Sequence, residues 1–371
     1  MKNIVSLLLA LLSATGVYAQ LNGDGYYRIK NHLTERYIYV IDDKGSINMT
    51  TTSADLYAII LWKGFDKAVS DPATVMYIKK VGDQYDLQSQ GTGIFKIIGY
   101  YVNIRANSDG TYMAYATNSG LTKYLADSEQ MSDVEVGYLT SEGNGNWRKW
   151  DIQPINNSND SSYFGVKSEF SDSKGYYASL YASFPFSFAS TGMKAYFVSK
   201  VSGDMAVMKE VTGYTKPSST PLIIKCASDK VSENRLNLQN NDTTALSSSL
   251  LKGVYFKDPE KIHYNQLAYD PTTMRILGKM KDGTIGFVKA DIDYLPANKA
   301  YLVVPTDAPD ELRMVTEEEF TAGIDDMQTI SQSIDKGVYS ISGTRVADNL
   351  SSLENLKPGI YISEGKKFVV K

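Results

Sequence analysis

Apolar and polar residues alternate over short stretches of this chain, and turn-forming residues separate the stretches. Tyr26–Lys30 (YYRIK) and Arg36–Val40 (RYIYV) each put every second side chain on one face, the period of a half-buried strand. Asp42, Asp43, Lys44 and Gly45 then supply a turn, and Ser46–Thr52 resumes a short polar strand. Trp147–Ile155 (WRKWDIQPI) alternates as well. Read as a strand, it places Trp150 with Ile152 on a core face and Trp147 with Lys149 and Asp151 on the other. Helical signals are few. Thr316 and Glu319 have the T-x-x-E spacing of a capping box ahead of Phe320. The fold class expected is all-β.

The strand signals fall into blocks. Asn156–Ser162 (NNSNDSS) has no apolar residue and reads as a linker. It divides an N-terminal domain, 20–158, from a second β-rich, sandwich-like domain, 159–318. A linker, 319–336, then leads to a hairpin tail, 337–371. The second domain carries an internal echo. Pro217–Ile224 (PSSTPLII) lines up with Pro296–Val303 (PANKAYLV), and each follows a strand-like run, Ala206–Val211 and Ile285–Ala290. A proline ahead of a buried strand sits where pairing begins, because it cannot donate to the ladder. The tripeptide Gly-Tyr-Tyr also recurs, at 25, 99 and 175.

Both ends of the chain read as addresses. Lys2, the apolar run Ile4–Leu12 and Ser13–Gln20 form the three regions of a cleaved secretory signal, with the cut after Ala19. The apolar run is too short to span about 30 Å of hydrocarbon, so no membrane span is expected once residues 1–19 are removed. At the other end, Val338–Ile341 and Arg345-Val346 flank a turn at Ser342-Gly343. Ile360–Ser363 and Phe368–Val370 flank another at Glu364-Gly365. This resembles the C-terminal sorting tails of proteins exported by the Bacteroidetes type IX pathway, through Gly343, Arg345, Gly359, Tyr361, Gly365, Lys366 and Lys367. The resemblance implies a protein secreted to, or held on, the outer surface of a Gram-negative bacterium, with export machinery as a partner of the tail. A "YYRIKN … ERYIYV" opening and a closing "WDIQPI" are in turn similar to the first hairpin and repeat end of ricin-type β-trefoil domains. That likeness implies a trefoil for 20–158, although no Gln-x-Trp motif is present.

Composition narrows the chemistry. A net charge of −4 with no long basic stretch argues against nucleic acid as a partner. With one cysteine, Cys226, no internal disulfide forms; its place in the apolar run PLIIKC is that of a buried, inert thiol. The two histidines, His32 and His263, lie far apart with no ligand spacing, and no nucleotide loop or nucleophile elbow occurs. Neither a metal nor a cofactor is expected. Tyrosine is abundant, at 27 residues against 12 Phe and 3 Trp, which suits strand faces and also surfaces that stack on sugar rings. The function expected is a non-catalytic, adhesin-like protein that binds glycan or extracellular matrix. Its candidate ligand site is Trp147 with Asn144, Asn146, Lys149 and Asp151. The competing readings are a secreted glycan hydrolase or peptidase built on scattered carboxylates, and a structural surface protein or inhibitor.

Overall fold

A computed structural model describes residues 21, 23–40, 46–49, 59–88, 94–97, 101–127, 138–141, 145–244, 246–255, 267–322, 337–348, 356–363 and 366–370. The leader segment 1–19, the turn at 42–45, Gly99, Asn144, His263 and Gly365 lie outside them. The protein is all-β. Contacts divide it into two compact units, 1–314 and 315–371.

The first twelve strands form one sheet. They are β1 (Gly25–Asn31), β2 (Arg36–Val40), β3 (Ser46–Met49), β4 (Ile59–Lys63), β5 (Met76–Val81) and β6 (Gln84–Gln88), then β7 (Ile94–Ile97), β8 (Asn103–Ala106), β9 (Tyr112–Asn118), β10 (Leu121–Ala126), β11 (Tyr138–Thr140) and β12 (Trp150–Pro154). Their pairings close a ring. β1 pairs with β5, β5 with β6, β8 with β9, β9 with β12 and β12 with β1. The remaining gap, β6 to β8, is bridged by Tyr85 and Val102, which exchange backbone hydrogen bonds of 2.8 and 3.2 Å. Three outer arms leave the ring: β2 with β4 from β1, β7 with β3 from β6, and β10 with β11 from β9. Closure removes the exposed edges that an open sheet would carry. Tyr27, Ile29, Ile78, Leu87, Ala114 and Trp150 come from these ring strands and share one buried core. Trp150 is fully buried and its Nε1 donates to the Leu125 carbonyl at 3.1 Å. Ile152, two residues on, is 5% exposed. The alternation read for Trp150 and Ile152 therefore holds in β12.

Strands β13 (Phe164–Gly165), β14 (Phe170–Asp172), β15 (Gly175–Leu180), β16 (Phe186–Phe188), β17 (Lys194–Ser202), β18 (Met205–Glu210), β19 (Leu222–Cys226) and β20 (Arg235–Leu238) follow, then β21 (Leu251–Val254), β22 (Met274–Lys279), β23 (Ile285–Val288), β24 (Lys299–Val303) and β25 (Glu311–Thr316). Ten of these make a sheet in the order β14-β15-β19-β17-β18-β25-β23-β22-β24-β21. That order is a duplication. β15, β17, β18 and β19 lie as first, fourth, second, third, and β21 to β24 repeat the same order from the opposite edge, with β25 between the halves. The sequence echo between Pro217–Ile224 and Pro296–Val303 is the third-to-fourth-strand segment of each half. Each segment also contains a non-glycine residue of positive φ, Ser219 at 51° and Asn298 at 57°. The sheet folds over itself, because Phe197, Ile223 and Met208 of one half share a core with Leu277, Phe287 and Leu302 of the other. Cys226 is 3% exposed in the neighbouring core, and burial pushes its thiol up to about 12.

The two sheets are joined by more than chain continuity. Val75 is buried in a core with Phe164, Phe184 and Leu222, and Tyr26 packs against it. Arg28 sits on β1 at 1% exposure although alternation places it outside. Its guanidinium donates to Thr74 Oγ1 at 3.2 Å and to the carbonyls of Val69, Ser162 and Tyr163 at 3.1, 3.4 and 2.9 Å. The rings of Phe65 and Phe164 each lie 5.6 Å from its central carbon. Burial holds its pKa down at about 10. The polar stretch 156–162 is correspondingly pinned. Asn156 N–H donates to Ser162 O at 3.1 Å, Arg235 Nη1 donates to Asn157 O at 2.8 Å, and Arg235 also stacks 4.1 Å from the Tyr163 ring.

In the second unit, Thr316 and Glu319 form the reciprocal capping pair, with Thr316 N–H donating to Glu319 Oε2 at 2.8 Å and Glu319 N–H to Thr316 Oγ1 at 3.1 Å. Residues 317–322 are helical, so 319–322, assigned by sequence to a linker, continue that turn; 323–336 lie outside the described residues. The tail is a four-stranded sheet in the order β27-β26-β28-β29, from β26 (Val338–Ser340), β27 (Arg345–Ala347), β28 (Gly359–Ser363) and β29 (Lys366–Val370). Gly343, at φ 81°, makes the first hairpin turn. Tyr361 is buried and stacks on Phe368 at 6.0 Å, while Arg345, Lys366 and Lys367 are exposed.

Candidate functional site

The sequence-derived site begins with Trp147, which is not on a strand. Asn146–Arg148 is a 3₁₀ turn, and β12 starts only at Trp150. The cause is Gly145, at φ 137°; a Cβ there would meet the Trp147 ring at 2.6 Å. Glycine thus lets the indole fold back over the backbone, and Trp147 is half-buried. Its carbonyl accepts from Asn31 Nδ2 at 2.8 Å and from Asp127 N–H at 2.9 Å. Asp127 is fully buried and takes Thr34 Oγ1 and both Arg36 Nε, at 2.9 Å, and Nη2. This network fixes the backbone of the turn that carries Trp147.

The other candidates are spread over this edge. Asn146 is exposed. Lys149 Nζ is paired with Asp109 at 2.6 Å, which with the Thr111 hydroxyl holds the Asp109 carboxyl below the usual carboxylate range. Asp151 is paired with Lys30 at 3.6 Å and with the Nδ1 of exposed His32 at 3.0 Å. Of the five candidates, Asp151 lines a cavity. It is a recess of about 450 Å³ whose polar wall is Asp151, Gln153, Asn156, Asn159 and Ser161, with Tyr112 on its apolar side. The Oδ1 atoms of Asn156 and Asn159 are used internally, accepting from Ser158 and Ser161 N–H at 2.9 and 2.8 Å. Their amide N–H groups make no hydrogen bond among the described residues, and both side chains are exposed. Sequence reading placed Asn156 and Asn159 in a linker; their role in a recess follows from the pinning of that segment beside β12.

A larger cleft, about 580 Å³, lies where the first sheet meets the second. One wall is the short helix α1 (Phe65–Ala68) and the turn after it, which supply Lys67 and Asp71. The other is the segment before β14, with Lys167 and Glu169, and the loop before β24, with Asn298. Asp71 caps the 3₁₀ turn Pro72–Thr74, its Oδ1 accepting from Ala73 N–H at 2.9 Å. Burial outweighs that bond and the nearby Lys299 and Arg28 charges, and lifts its carboxyl to about 6. No sequence signal pointed to this cleft. Among the described residues, no group of three or more His, Cys, Asp or Glu side chains is placed to hold a metal ion, and no helix is long and apolar enough to cross a membrane.

No family profile and no curated protein matches the sequence. Among solved structures, the chain is similar to a mosquitocidal holotoxin at 11% identity and a TM-score of 0.28, over 77% of this chain and 35% of that one. The chain therefore spans about a third of the toxin's length, and a likeness this distant carries no argument about function.

Proposed function

We propose that this is an exported, non-catalytic binding protein that recognises glycan at the outer surface of a Gram-negative bacterium. The observation that carries the reading is the recess beside β12. It gathers one carboxylate, Asp151, with the amides of Gln153, Asn156 and Asn159 and the Ser161 hydroxyl around a shallow polar wall. Sugars are bound by such planar donors and acceptors, since each hydroxyl both gives and takes a hydrogen bond. The side-chain amide N–H groups of Asn156 and Asn159, which make no hydrogen bond among the described residues, are donors held in place by turns that occupy their oxygens. We place this recess on a β-trefoil, which the closed ring of six strands and its three two-stranded arms support. The tail, 337–371, serves in this reading as the export address, with exposed Arg345, Lys366 and Lys367 offered to the machinery.

A glycan array probed with the mature chain tests the binding reading, beside an Asn159→Ala, Gln153→Ala double variant. Saturable binding that the double variant loses supports it; absence of binding by the wild type sinks it. For the address, the full chain and a chain ending at 336 are expressed in a type IX-competent bacterium. Surface delivery of both forms would remove the tail's role.

A further inference from the structure

An antiparallel sheet with one face on a core and one in water ordinarily places apolar residues on the first and polar residues on the second. The tail sheet carries apolar residues on both. Val338, Tyr361 and Ser363 share its inner face and are 0, 8 and 3% exposed. The outer face follows from the register. Tyr339 lies across from Arg345 on one side and from Ile362 on the other, and Ile362 lies across from Lys367. One row, Arg345–Tyr339–Ile362–Lys367, thus crosses all four strands. The next row is the opposed pair Ile360 and Val369, 45 and 64% exposed. These apolar residues are neighbours on one surface, which single scattered ones would not be.

The charges indicate what covers this face. Both ends of the row are cations, set about 14 Å apart by three strand spacings of about 4.8 Å. Lys367 is exposed and has no ion-pair partner among the described residues. Arg345 shares its charge with Asp348, 3.4 Å away and itself exposed. None of the four strands contains an acid. Over 337–371 there are five Lys and Arg against three Asp and Glu, in a chain whose net charge is −4. A second copy, laid face to face about a two-fold axis, would bring cations toward cations. A bilayer surface of acidic lipid meets both demands. Its phosphates pair with the cations at the two edges, while Ile360 and Val369 enter the boundary between headgroups and acyl chains. Tyr339, within the row, suits that depth, with an apolar ring and a hydroxyl that stays wet.

We propose that the outer face of the tail sheet docks on a bilayer surface rich in anionic lipid, with Ile360 and Val369 in the apolar boundary and Lys367 and Arg345 on lipid phosphates. This goes beyond the export reading and does not rest on it: vesicle binding is measured on purified protein, and its failure leaves surface delivery untouched.

The test is co-sedimentation of the mature chain with vesicles of phosphatidylcholine alone and of phosphatidylcholine with phosphatidylglycerol in equal parts, in about 0.1 M and about 1 M salt. Binding to the anionic vesicles at least about tenfold tighter than to the neutral ones, and weakened at the higher salt, is expected. Lys367→Glu should lose about tenfold or more, whereas Lys366→Glu, the same change of charge on the opposite face, should lose less. An Ile360→Thr, Val369→Thr chain keeps the β-branched shape at two exposed positions. It should keep a Tm close to that of the wild type and bind about tenfold more weakly. If that chain loses its fold, the lysine pair decides alone. No binding of anionic vesicles, equal binding of both vesicle types, equal loss in the two lysine variants, or unchanged binding by the threonine chain would overturn the inference. So would a wild type that sediments as a dimer beside a threonine chain that sediments as a monomer, since the face then belongs to a second copy.

Discussion

Replacing Asp71 with Asn isolates the energetic cost of the carboxylate in the cleft. Asn keeps the shape and the acceptor for the Ala73 N–H that caps Pro72–Thr74, so the charge is what changes. In the folded chain the carboxyl titrates at about 6 rather than 3.8, chiefly because burial disfavours the charged form. Below about pH 4 folded and unfolded chains both hold the proton, and Asp71 contributes nothing to the pH dependence. As pH rises from about 4 to about 6, the unfolded chain releases its proton while the folded chain keeps it, so stability falls. Above about 6 the full penalty is present. The gap between 3.8 and about 6 corresponds to about 3 kcal/mol as an upper bound; water reaching the part of the side chain that is exposed reduces this to about 1–2 kcal/mol. Urea unfolding of wild type and Asp71→Asn, followed by far-UV circular dichroism from about pH 4 to about pH 8, reads the effect. The variant is expected to be the more stable at the alkaline end by about 1–2 kcal/mol, with the curves converging toward acid. Parallel curves, or a variant less stable at pH 8, would refute the argument.

Three further outcomes follow from the packing. Arg28→Met leaves the Tyr163 carbonyl without its donor, while the Val69 and Ser162 carbonyls keep the Gly165 and Asn156 N–H groups, and a loss of about 1–3 kcal/mol in urea unfolding is expected; a loss under about 1 would mean water replaces the guanidinium. Trp150→Ala empties a fully buried site and should cost about 3–5 kcal/mol, whereas Trp147→Ala, on a turn held through its backbone, should cost about 1 kcal/mol or less. Equal losses in thermal unfolding would contradict the assignment of Trp150 alone to the core. Gly253→Ala would bring a Cβ to 2.3 Å from the Tyr181 ring, itself stacked on Tyr255 at 4.2 Å. A drop of about 1–3 kcal/mol is expected, with a Tyr181→Ala, Gly253→Ala chain recovering part of it if the clash is the cause.

The sequence alone determined the class of the fold and the local strands, because a half-buried strand writes its two faces as alternation. Tyr27 with Ile29, Trp150 with Ile152, the tail strands and the Thr316–Glu319 cap were all legible for that reason. The duplicated halves of the ten-stranded sheet were legible as an echo, since the same strand entry recurs with its proline. What tertiary structure decided is where distant segments meet. Arg28 reads as an outward residue of β1, yet Phe65, Phe164 and three carbonyls from other segments bury it. Asn156–Ser162 reads as a linker by polarity, and becomes a pinned wall because Arg235 takes up its backbone. Trp147 leaves the alternation because Gly145 allows a turn that no side-chain pattern announces. The cleft draws residues from 39 to 299, and no local period can record contacts across that separation. Alternation encodes which way a side chain points from its own strand; only the packed fold determines what stands opposite it.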